Sequence, residues 1–244
     1  GPQAGIFTAI VAGFVISAFG GSSIQIAGPT AAFATIVAGI VAKDGLDGLV
    51  ISTILAGIFL ILMGLCHFGS LIKFIPYTIT TGFTSGIAVT IVIGQLKDFF
   101  GVTYPNGLKP IETMEKLNAF ALGFSSFHVD ALIVGGVSLA ILIISPYIFK
   151  RIPGSLIAVV IGILMVKFLP LHVSTIGNLY TITNDLPSFH IPAVKFSMVK
   201  SAIPNAFTIA VLAAIESLLS CVVADGMING KHRSDTELVA QGLG

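Results

Sequence analysis

The first 42 residues contain no Asp, Glu, Lys or Arg. A water-soluble fold needs charge on its outside, and soluble domains carry roughly 25% charged residues. This tract is about twice what one helical membrane crossing needs, which is about 20 apolar residues. Backbone in lipid must also pair its own polar groups, which leaves helices or closed barrels. The whole chain keeps to that character, with 9% charged residues, 55% hydrophobic residues and a mean hydropathy of +1.02. We read it as an all-α integral membrane protein whose main solvent is the lipid bilayer. The net charge of +1 offers no basic face for nucleic acid. Cys66 and Cys221 read as free thiols inside helices, with no disulfide framework. The chain begins at Gly1-Pro2 without a signal peptide and stops at Gly244 inside a helical pattern, so it reads as an excerpt of a longer protein.

The uncharged tract divides at Gly20-Gly21-Ser22-Ser23, a cluster of breakers. Residues 5–19 make a short span, and residues 24–42 hold a polar stretch followed by a second one. Further spans are predicted over residues 48–66, 74–96, 131–149, 152–166 and 201–225. Lys167 snorkels at the end of the sixth. Residues 237–244 read as the first turns of an eighth segment. The connections at 96–130 and 170–200 are long and polar. Those at 67–75, 150–153 and 226–236 are short, and alternation puts all three on one face. They hold Lys73, Lys150, Arg151, Lys231 and Arg233, a density that predicts a cytoplasmic face. The opposite loops spread Lys43, Lys97, Lys109, Lys116, Lys195 and Lys200 over longer stretches.

Two places carry chemistry. In Gln25-Ile26-Ala27-Gly28-Pro29-Thr30 an extended stretch runs into Gly-Pro, and Pro29 suits a first helical turn because its missing N–H would be unpaired there anyway. The helix that follows, through Ala31 to residue 42, is too short to cross at about 1.5 Å per residue, so it is expected to begin near the middle of the membrane. Its free N–H groups and partial positive charge would suit an anion. A Pro-kinked helix without a ligand is the alternative. The second place is Glu216, a lone carboxylate inside an uncharged span. A charge there costs about 2.5–3.5 kcal/mol or more, so it should face protein or a water-filled cavity. Ser217 is adjacent, and Ser220 lies one turn on along the same face. Together they offer oxygens for Na⁺ or a site for a proton. A structural acid bonded to a neighbouring helix is the alternative.

Other features read as structural. Gly82, Gly86 and Gly94 with Ala88 form a small-residue stripe suited to close helix packing. The threonines at 78, 80, 81, 84 and 90 read as hydroxyls satisfied within their helix. His67, His128, His172, His190 and His232 fall in loops or at span ends and read as surface residues without metal-ligand spacing. No cofactor motif and no hydrolase or nucleotide-binding motif is present, so an enzyme is not expected.

At these residues the chain resembles the SulP sulfate-permease family. The matching passages are Gly1-Pro2-Gln3-Ala4-Gly5, residues 25–30, Ile75-Pro76 and residues 82–88. They continue with Gln95-Leu96-Lys97, residues 151–157, Leu186-Pro187-Ser188-Phe189, residues 216–225 and 230–235, and residues 237–243. The resemblance implies fourteen segments in two inverted repeats of seven, with the anion held between the N-termini of half-helices three and ten. On that mapping this chain holds segments two to eight and the start of nine. Segments one and ten to fourteen and the cytoplasmic STAS domain are outside it. Segment three begins at about Pro29, and Glu216 resembles the position of a Na⁺-binding acid in sodium-coupled bicarbonate members.

The expected function is secondary active transport of a small anion (sulfate, bicarbonate or a dicarboxylate) by alternating access. It would run as Na⁺- or H⁺-coupled symport or as exchange, in the cell membrane and as a homodimer of the full-length protein. The candidate substrate-binding residues are Gln25, Gly28, Pro29, Thr30 and Ala31. Those for the coupling ion are Glu216, Ser217 and Ser220, with Na⁺ at Glu216. The alternatives are a nucleobase permease of similar fold, in which Glu216 would hydrogen-bond the base, and a channel-like member.

Overall fold

The computed structural model describes residues 2–28, 30–74, 77–148, 151–181 and 196–244. Pro29, Ile75, Pro76, Lys150, the motif at 186–189, His190 and Lys195 lie outside the described residues. Among those described the secondary structure is helical, with no strand. The chain divides into two compact units, Gly1–Ile87 with Ile182–Gly244, and Ala88–Thr181.

In the first unit, α1 (Pro2–Phe19) is followed by a connector to Thr30 whose described residues are non-helical, then by a 3-10 turn (Ala31–Phe33) that leads into α2 (Ala34–Leu65). The spans read over residues 24–42 and 48–66 are thus two helices joined end to end. The joint is Gly45, with φ 72° and ψ −174°, a conformation that essentially only glycine adopts without strain. After a second 3-10 stretch (Phe68–Phe74) the chain enters α3 (Tyr77–Phe99), which belongs to this unit as far as Ile87. The unit closes with α8 (Phe196–Ile228) and α9 (Ser234–Leu243).

Small residues hold α2, α8 and α9 together. Ala206, Ala210 and Ala214 repeat every four residues along one face of α8, all buried, and Leu218 continues the row. They form a core with Ala56 and Leu60 of α2 and Leu238 of α9. Between α2 and α9 the backbones touch: a Cβ on Gly57 would lie 2.6 Å from the Gly242 carbonyl oxygen. In lipid no hydrophobic force drives helices together, so such close van der Waals packing is what binds them. The stripe expected to do this was Gly82, Gly86 and Gly94, but a Cβ at any of the three meets nothing within 4 Å. The small-residue contacts fall elsewhere, on α8 and at Gly57, Gly64 and Gly242.

The turns at one end of this unit are tied by side chains. Asp235, in the first turn of α9, accepts the Gly69 N–H at 2.9 Å and pairs with His67 Nδ1 at 2.9 Å. That contact joins the short connections after α2 and after α8, which alternation had placed on one face. His67 is 82% exposed, as read, but the His232 side chain is only 7% exposed. Asp225 accepts both the backbone N–H and Nδ1 of His232, at 2.9 and 2.7 Å, while Nε2 meets Ser234 Oγ at 2.9 Å. His232 is therefore a structural lock of the α8–α9 turn rather than a surface residue. A span end brings its own carboxylate back within reach, which the position in sequence does not reveal.

The second unit holds α4 (Thr113–Gly123), α5 (Val129–Ile148), α6 (Gly154–Phe168) and the short α7 (Ile176–Leu179). α5 packs on α6. α4 lies inside what was read as a long polar connection. It starts on a capping box, with Glu115 accepting the Glu112 N–H at 3.2 Å, and it sits in a cluster of Phe100, Phe120, Phe124 and Phe127.

Three of the described helices are long and apolar enough to cross a membrane: Ala34–Leu65, Val129–Ile148 and Met198–Ile228, with mean hydropathies of 2.5, 2.3 and 2.2. The helices over Gln3–Phe19 and Gly154–Phe168 are shorter but also apolar.

Candidate functional site

The turn at the start of the connector after α1 is anchored from outside. Glu237, on α9 and 1% exposed, accepts the N–H of Gly21 at 2.8 Å and of Ser22 at 3.3 Å on Oε2. The Arg233 N–H in turn donates to the Gly21 carbonyl at 3.0 Å. Glycine is needed at position 21 because a Cβ there would run into the Arg233 carbonyl. Ser22 Oγ then accepts the Gln25 N–H at 3.3 Å, and the described residues from there to Thr30 are non-helical, ahead of the 3-10 turn at Ala31. The expected break at Gly28-Pro29 falls partly on Pro29, outside the described residues; after it, helical structure begins with the 3-10 turn at Ala31 and becomes α-helical at Ala34.

This connector lies across α8. The Thr30 hydroxyl donates to Glu216 Oε2 at 3.2 Å, and Gln25 Nε2 donates to Ser217 Oγ at 3.2 Å. Gln25, Gly28, Thr30, Glu216, Ser217 and Ser220 all line one cavity of about 350 Å³. Two places singled out for different reasons, 186 residues apart between Thr30 and Glu216, thus share a single space. Ala31 stands at the start of the 3-10 turn, and Pro29 is outside the described residues. The rest of the wall is mostly apolar, including Ala56, Leu60 and Ile209, with the hydroxyls of Thr8 and Thr53.

Glu216 is half-buried, with its neighbours in register as the helical spacing requires: Ser217 faces the protein and Ser220 the open side. The site contains hydroxyl oxygens, an amide and a carboxylate on one wall, and the start of a helix on the other. Oxygens of that kind suit a hard monovalent cation or a proton. A helix start leaves N–H groups without intrahelical acceptors, which suits an anion.

Three contributors were missed from sequence. Glu237 and Gln241 sit on α9, and Gln241 Nε2 donates to Ser217 Oγ at 3.0 Å. The Cys221 thiol donates to Gln25 Oε1. Glu237 had been read only as the opening of another segment, and an acid in a first helical turn is ordinarily explained by the helix dipole. Its place between Gly21 and Ser217 depends on contacts 216 and 20 residues away.

Residues 1–244 match the profile of the Sulfate permease family. YvdB of Bacillus subtilis (strain 168), which carries a sulfate-transporter name, is 39% identical over 99% of this chain and 46% of its own length. The bicarbonate transporter BicA of Picosynechococcus sp. is 31% identical over 100% of this chain and 44% of its own. The chain thus spans about half the length of the curated relatives it matches. Among solved structures, the transmembrane domain of a cyanobacterial BicA superposes with a TM-score of 0.82 at 30% identity, covering 100% of this chain and 63% of that one. The structure of SLC26A9 shares the fold, with a TM-score of 0.69 at 19% identity, over 99% of this chain and 43% of that one.

Proposed function

This chain belongs to the Sulfate permease family over residues 1–244, and from that premise we propose that the full-length protein is a secondary active transporter of a small anion. It is a multi-pass membrane protein. The substrate class is sulfate, bicarbonate or a dicarboxylate. The reading is supported by relatives with sulfate and bicarbonate transporter names, and above all by one observation: Gln25, Gly28 and Thr30 share a cavity with Glu216, Ser217 and Ser220.

The arrangement gives a physical reason for coupling. An anion at the start of the helix and an ionised Glu216 in the same 350 Å³ space repel each other. A Na⁺ held by Glu216, Thr30 and Ser220, or a proton on Glu216, removes that repulsion. Each ligand then raises the affinity for the other by the same factor, which is the thermodynamic basis of symport. The anion is completed by residues outside this chain, and the second half of the fold would carry them. Alternating access moves the site between the two sides of the membrane.

The test is uptake by the full-length protein in proteoliposomes, with radiolabelled sulfate, bicarbonate and fumarate supplied in turn under a Na⁺ gradient or a pH gradient. One of the anions should accumulate above its external concentration under one of the gradients. Absence of both accumulation and counterflow for all three refutes the proposal.

A further inference from the structure

Glu237 does not line the cavity, yet it governs a residue that does. One route runs through the backbone: Glu237 Oε2 holds the Ser22 N–H, and Ser22 Oγ holds the Gln25 N–H, each at 3.3 Å. The other runs through side chains and has a direction. A carboxylate only accepts hydrogen bonds, so the single hydroxyl proton of Ser217 is committed to Glu237 Oε1 at 3.3 Å. The Ser217 oxygen can then only accept, and it does so from the amides of Gln25 at 3.2 Å and Gln241 at 3.0 Å. That forces Nε2 of Gln25 toward Ser217 and Oε1 toward the Cys221 thiol, which donates to it.

We propose that Glu237 is a positioning residue for the cavity, which sets the polarity of the Gln25 amide so that its second N–H remains for an anion. The assignment rests on the reading of the cavity as an anion site. Glutamine at 237 would supply an N–H to Ser217, release the serine proton toward Gln25, and let the Gln25 amide turn its carbonyl oxygen where a donor stood.

The experiment compares initial uptake of labelled sulfate, bicarbonate and fumarate by the full-length protein in proteoliposomes for wild type, Glu237→Gln, Gln25→Ala and the double variant. Loss of one oriented hydrogen bond should raise KM about tenfold in each single variant, with kcat changed by less than about twofold. Because Glu237 acts through Gln25, the double variant should be no worse than Gln25→Ala alone. Multiplicative effects, or a loss of kcat at constant KM, overturn the assignment. If Glu237→Gln does not reach the membrane folded, Ser217→Ala takes its place in the cycle with Gln25→Ala, and multiplicative effects there overturn it equally. A wild type that takes up none of the three anions refutes the transport reading before any variant is compared, and takes the positioning role with it. Multiplicative effects in an active protein overturn the positioning role alone.

Discussion

Glu216→Gln isolates the charge at the site while keeping the shape of the side chain. Its magnitude follows from geometry. Two unit charges about 4 Å apart interact by about 4 kcal/mol at an effective dielectric of about 20, and by about 1 kcal/mol in bulk water. Glu216 is half-buried and lines an open cavity, so its attraction for a coupling cation falls between those limits. The corresponding loss of cation affinity is roughly 5-fold to 1,000-fold. The Thr30 hydroxyl bond at 3.2 Å survives as a neutral one, weaker by about 1 kcal/mol, so the connector should stay in place. The assay is initial uptake at fixed anion concentration, titrated with Na⁺ at constant pH and then with pH at constant Na⁺, alongside membrane abundance. Na⁺ coupling predicts a flattened Na⁺ response in the variant. Proton coupling predicts a flattened pH response with anion exchange retained. A normally abundant variant with unchanged rate, Na⁺ response and pH response would remove Glu216 from the mechanism.

Two further tests address packing and orientation. Gly57→Ala places a methyl group 2.6 Å from the Gly242 carbonyl and should destabilise by about 1–3 kcal/mol, whereas Gly39→Ala in the same helix meets nothing within 4 Å and should stabilise by up to about 1 kcal/mol; the reverse order of thermal unfolding midpoints in detergent refutes the packing account. Lys231→Cys, at an exposed position of the α8–α9 turn, should resist impermeant thiol reagents applied outside intact cells, in a Cys66→Ser background because Cys66 is exposed too. Efficient labelling from outside reverses the proposed orientation.

Residues 5–19, 152–166 and 201–225 were readable as helices because an uncharged run in lipid has few other solutions. α2 was harder. Lys43, Asp44 and Asp47 look like a loop between two spans, and only the backbone angles at Gly45 show helix continuing up to it from both sides. Glu216 was legible because a lone charge in a span must face protein or water, and helical register carried Ser217 and Ser220 with it. What no local rule supplies is which distant element it meets. The Thr30–Glu216 contact and the Glu237 anchor close loops of 186 and 216 residues. They are set by how α2, α8 and α9 pack, and that packing turns on alanines and glycines whose local pattern matches many helices that pack on nothing.

The anchor at Glu237 also sets an order of events during synthesis. The Gly21 and Ser22 N–H groups leave the ribosome 216 and 215 residues before the carboxylate that receives them. At about 5–20 residues per second that interval is roughly 10–40 s. Until then those two N–H groups have to pair with other acceptors, water among them, because an unpaired backbone N–H is costly to bury. The connector can therefore take up its final contacts only after α9 has been made. The cavity is among the last parts of this chain to form, although half of its wall is translated first.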